Sequence, residues 1–132
     1  MKNSTLTNLG LLLVRLLASG MMLTHGIPKI DRLLIDGPVK FPNPFGLGPE
    51  ISLLLVIFAE VGCSILVMAG FKTRFATLPL LFTMLVAVFY THGSEPFSEK
   101  EPALAFFTLF LSILISGAGR FSLDEWMDKP KE

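Results

Sequence analysis

Glu60 is the one charged residue in Ile51–Gly70, a run of about 20 residues, the length an α-helix needs to cross a bilayer. A carboxylate at mid-membrane costs several kcal/mol, so it must be protonated, paired or turned toward a wet cavity, and such a residue points first to ligand, proton or ion chemistry. Its opposite is Arg15, inside a second apolar run, Leu9–Ile27. At ~1.5 Å per residue, Arg15 lies roughly 9 Å and Glu60 roughly 15 Å above the same membrane face, if the two helices are antiparallel. An arginine side chain spans that difference of about 6 Å. The expectation is a buried Arg15–Glu60 ion pair, joined by Ser19, Ser64 or a water. Such a pair either serves a ligand or only fixes helix register, and the residues leave both open.

His25 and His92 fall at the outer ends of two parallel spans and, with Lys29, would line a polar mouth. Two histidines are too few for catalytic zinc, which takes a third protein ligand. Glu50 and Glu95 fit as a third only by depth, so no metal is expected. Cys63 is the single cysteine, which excludes an intrachain disulfide, a Cys-based metal site and covalent haem attachment through CxxCH. At that depth it reads as a small packing residue. No Walker loop, GxGxxG, CxxC or Ser-His-Asp order is present.

The elements that must position these groups follow from the distribution of apolar residues. The chain has 132 residues, 52% hydrophobic and 17% charged, with formal net charge +0. One domain is therefore expected, without the basic footprint of a nucleic-acid binder. The apolar residues fall into blocks at about 9–27, 51–70, 76–91 and 103–118, which predict an all-α transmembrane four-helix bundle over residues 1–132. Arg15 inside the first block argues against a cleaved signal peptide. Between the first two blocks, Pro28–Pro49 is rich in proline and glycine and reads as a loop. Its Phe41, Phe45 and Leu47 would fold it onto the bundle as a cap. Ser122-Leu123-Asp124-Glu125 is a capping box, which predicts a short interfacial helix anchored by Trp126 and stopped at Pro130. Four spans put both termini on one side, with Lys2, Lys72, Arg74, Arg120, Lys129 and Lys131. The opposite side has Lys29, Arg32, Lys40 and Lys100, so both termini are expected in the cytoplasm.

Three groups of residues, taken in order, carry a family resemblance. They are Arg15 followed by His25-Gly26-x-x-Lys29; Glu60-x-Gly62 leading to Ala69-Gly70-Phe71-Lys72-Thr73-Arg74; and Gly117-Ala118-Gly119-Arg120-Phe121-Ser122-Leu123-Asp124. Together they resemble the DoxX family across nearly the whole chain. The resemblance implies a small four-helix inner-membrane protein. Family members include a subunit of thiosulfate:quinone oxidoreductase, and others are associated with redox-stress complexes. It carries over Arg15, His25, Lys29, Glu60 and Arg120 as polar positions without making them an active site.

Two readings of function follow. In the first, the protein is a subunit or partner of a membrane oxidoreductase that binds quinone or a similar lipid-soluble ligand among Arg15, His25, Lys29, Glu60, His92 and Arg120. Cofactor or partner would then do the electron chemistry. In the second it is a non-catalytic scaffold or small-lipid-binding module with structural charges. The partners expected are the lipid bilayer, subunits of a redox complex and other copies of the chain.

Overall fold

The computed structural model describes residues 4–129. Lys2, Pro130 and Lys131, which entered the topology and tail expectations, lie outside them. The described residues are helical with no strand: α1 (Thr5–Leu34), α2 (Pro49–Ala69), α3 (Thr73–Thr91), α4 (Phe97–Ser116) and the short α5 (Leu123–Asp128). Three of them, α1, α2 and α3, are long and apolar enough to cross a membrane. The first turn of α4 carries Glu99, followed by Lys100 and Glu101, which leaves a shorter apolar stretch.

The helices start earlier than the apolar blocks suggest, and α1 also runs past its block, for local reasons. Ser4 caps α1 by accepting from the Thr7 N–H at 3.2 Å. Pro28 does not end α1. A helix-interior proline forfeits one i→i−4 bond and strains the turn, but this helix continues to Leu34. Lys29 is tied to α2, and the Arg32 guanidinium stands 5.9 Å over the Phe41 ring, so tertiary contacts hold the last turns. The loop therefore begins at residue 35 rather than 28. Pro96 stands at the N-cap position of α4 with no side-chain cap, and Pro102, one turn in, forfeits only a bond to an early carbonyl.

The core lies where α1, α2, α3 and α4 meet: Ala18 and Met22, Cys63 and Val67, Ala76, Leu80, Leu81 and Met84, Phe110 and Ile113. On α1 the buried positions Arg15, Ala18, Ser19, Met22 and Gly26 recur at helical steps, so small and polar residues share one face with the core. Packing is most extensive between α1 and α2, with α3 against α4 close behind.

Two stretches depart from regular α geometry. Phe58–Cys63 in α2 and Ala87–Thr91 at the end of α3 are π-helical. A π turn inserts an extra residue, widens the helix and re-aims its side chains, and such turns are frequent at functional sites. Nothing in the hydrophobic pattern signals either one.

Candidate functional site: a cavity with a buried ion pair

The π turn of α2 carries Glu60, which is buried. Its partner is Lys29, not Arg15. Lys29 Nζ donates to Glu60 Oε1 at 2.8 Å and to Oε2 at 2.6 Å, with the two side chains 23% and 5% exposed. Gly26 makes this possible. A Cβ there would stand 2.9 Å from Glu60 Cβ and 2.9 Å from Val61 Cγ2, so only glycine lets α1 press against the widened turn. Lys29, one turn further along, then meets the carboxylate.

The pair forms part of the wall of a cavity of about 560 Å³, within the usual range for small-molecule sites. Phe58, Ala59 and Glu60 from one π turn line it, as do Ala87 and Thr91 from the other. The loop contributes Phe41, Pro42, Pro44, Phe45 and Leu47, and the Phe45 ring stacks on Phe82 of α3 at 5.8 Å. Leu55, Phe58 and Phe82 line the cavity while remaining more than half exposed, so its apolar side opens laterally on the outside of the helices. Lys29, Arg32, Ser52, Thr83, Thr91 and His92 add polar groups to a mostly apolar lining. Among them, His92 Nδ1 lies 2.6 Å from Glu95 Oε2.

Arg15 does different work at the other end of the molecule. It is 1% exposed. Nε donates to the Val67 carbonyl at 2.9 Å and Nη2 to Met68 at 3.0 Å, while Nη1 donates to Ala118 at 2.7 Å and Phe121 at 2.9 Å. The first two are among the last carbonyls of α2, which carry the negative end of its dipole, and Val67 also accepts from the Gly70 N–H at 3.1 Å. The guanidinium fork thus ties the end of α2 to the chain beyond α4. Ser19 and Ser64 are buried but join neither charge, and their hydroxyls have no hydrogen-bond partner among the described residues.

That end is closed further by α5. Ser122 caps it, accepting from the Glu125 N–H at 3.2 Å. Asp124 reaches across to α3, where it accepts from the Lys72 N–H at 2.6 Å, the Thr73 N–H at 3.0 Å and the Thr73 hydroxyl at 2.7 Å. Burial opposes ionisation of Asp124, but the Thr73 and Lys72 donors and the nearby Arg15 charge outweigh it and hold its pKa below the ordinary value. Lys72 itself sits at φ 46, a left-handed conformation at the start of α3 that these bonds hold.

Of the six residues expected in one polar core, Lys29, Glu60 and His92 share the cavity. His25 is exposed and packs edge-on against Phe106, with ring centroids 5.5 Å apart, so it is no neighbour of His92 in the mouth. Arg15 belongs to the opposite end. Arg120 is exposed there, its N–H donating to Asn8 Oδ1 at 2.8 Å. The aromatic and proline residues of the loop, Ser52 and Thr83 were missed as site residues. A proline-rich loop with spaced phenylalanines was the available signal for the first group.

Comparison with known proteins places these features in a family. The DoxX family model matches residues 10–93. Inner membrane protein YqjF of Escherichia coli is 30% identical over 130 residues, covering 94% of this chain and 96% of that protein. An uncharacterized protein of Haemophilus influenzae is 31% identical over 118 residues, 84% of this chain and 85% of that one. No solved structure gives a significant match.

Proposed function

This chain belongs to the DoxX family, and from that premise we propose that it is an inner-membrane protein that binds a lipid-soluble, polar-headed ligand of the quinone type. In this reading it is a subunit or partner of a membrane oxidoreductase system. The four long helices form a transmembrane bundle, α4 crossing with its apolar part only, and both termini are cytoplasmic. Supporting the location are the three membrane-length helices and the name of the similar Escherichia coli protein.

One observation carries the ligand reading: an ion pair set into the wall of a mostly apolar, laterally open cavity between two π turns. A pair that only fixed register would need no such space beside it. A flat conjugated ring fits among Phe41, Phe45, Phe58 and Phe82 and meets Lys29 and Glu60, while an isoprenoid or acyl tail leaves through the side facing lipid. The protein's part is binding and electrostatics; the ligand or a partner carries the electrons.

The test is mass spectrometry of lipids extracted from protein purified out of native membranes. Quinone enriched with the wild type and lost with Glu60→Gln supports the reading. Equal quinone in both samples, or none in the wild type, sinks it. Glycerolipid alone would favour the scaffold or lipid-binding reading. The Arg15 node favours that second reading for its own end of the molecule, because four of its five N–H donors go to backbone carbonyls.

A further inference from the structure

The Lys29–Glu60 pair is not the only hydrogen-bonded polar couple at the cavity. His92 lines it, with ring nitrogen Nδ1 held 2.6 Å from the Glu95 carboxylate on the same loop. We propose that His92, oriented by Glu95, recognises the ligand head and makes the cavity choose between hydroxyl and carbonyl forms of that head according to pH. This rests on the ligand reading above and adds a specificity residue to it.

The argument is one of donors and acceptors. An ionised carboxylate only accepts, so Nδ1 bears a proton in either charge state of the ring. The remaining nitrogen, Nε2, is then an acceptor when the ring is neutral and a donor when it is charged. A neutral ring suits a head that offers O–H, the hydroquinone. A charged ring suits one that offers C=O, the quinone.

The other charged groups around the ring come from every neighbouring element. Lys29 and Glu60, from α1 and α2, are engaged with each other. Arg32 of α1 stands over Phe41, and Lys100 of α4 donates to the Gly93 carbonyl at 3.2 Å. Glu95 is engaged with His92 itself. Imidazole is the side-chain type in this set whose charge ordinarily changes between about pH 5 and 8.

The experiment uses the full chain in lipid nanodiscs, with decylubiquinone and decylubiquinol as separate probes, their binding measured by equilibrium dialysis from about pH 8 to about 5.5. As pH falls, quinone should bind tighter and quinol weaker, the affinity ratio moving by about tenfold, the worth of one charge-assisted hydrogen bond. His92→Gln keeps both a donor and an acceptor but does not titrate. It should bind both probes with a ratio that stays flat across this range. The same slope in His92→Gln as in the wild type overturns the role of His92. A flat ratio in the wild type overturns the pH choice while leaving the cavity as the binding site. Binding of neither probe by the wild type at any pH overturns the ligand reading and this inference together.

Discussion

Lys29 and Glu60 illustrate how a charge inside a membrane segment is made tolerable. The carboxylate cannot stand alone at that depth, and it accepts two charge-assisted bonds from one ammonium. Removing one partner strands the other in a low dielectric, a loss of about 3–5 kcal/mol for a buried pair. Lys29 retains some exposure, so Glu60→Gln alone, which frees a lysine able to reach the surface, should be milder than Lys29→Met alone. Lys29→Met with Glu60→Leu together should recover much of the loss, since no charge is left unpaired. Thermal unfolding in detergent reads all of these. If Lys29→Met melts with the wild type, the pair contributes nothing and Glu60 is held by something else.

Between α1 and α2 the decisive contact is glycine against a π turn. Any side chain at Gly26 meets Glu60 and Val61 atoms at 2.9 Å, and the Glu60 backbone carbon at 3.1 Å, which cannot rotate away. Gly26→Ala should therefore cost about 1–3 kcal/mol by overpacking. Gly26→Leu should push the helices apart and separate Lys29 from Glu60, lowering the melting temperature further than Gly26→Ala does. A Gly26→Leu variant as stable as the wild type would show that the close approach is dispensable. This geometry also explains what could be read from the residues beforehand. Apolar blocks located the helices, and the Ser122 cap was legible because capping is local chemistry. Pairing of Arg15 with Glu60 was inferred from depth on regular helices. It failed because Arg15 found backbone carbonyls, acceptors that every sequence contains and none advertises. The extra residue of the π turn and the continuation of α1 past Pro28 then brought Lys29, rather than Arg15, to the carboxylate. The α5–α3 junction has its own signature. Asp124 is held ionised by the α3 donors, so its contribution to stability is present above the ordinary carboxylate value of 3.8 and is lost as pH falls below it. Wild type should lose melting temperature across that acid range faster than Asp124→Asn, which starts lower at neutral pH. Parallel acid profiles for the two would contradict the assignment.

The molecule as a whole is closed at one end and open at the side near the other. Arg15, Asp124 and the chain from Ala118 to Phe121 seal the end that holds α5. The cavity instead lies under the loop that joins α1 to α2. Orientation in the membrane therefore decides which leaflet and which compartment the cavity faces. Lys72, Arg74, Arg120 and Lys129 mark the sealed end, and Lys29, Arg32, Lys40 and Lys100 the other. Described residues are thus evenly divided, yet they are not equally free. Lys29 is neutralised inside the helices, and buried Arg15 adds its charge to the sealed end. Both differences strengthen the bias that keeps basic residues in the cytoplasm. The expected arrangement has α5 in the cytoplasmic interface, with Trp126, 71% exposed, at headgroup level, and the cavity toward the outer leaflet. With Cys63 replaced by serine, single cysteines at Asn43 and at Lys129 test it. An impermeant maleimide applied to intact cells should label position 43 and spare 129 until the membrane is opened. Labelling at 129 and not at 43 would invert the protein, place the cavity on the cytoplasmic side, and require the ligand to be exchanged there.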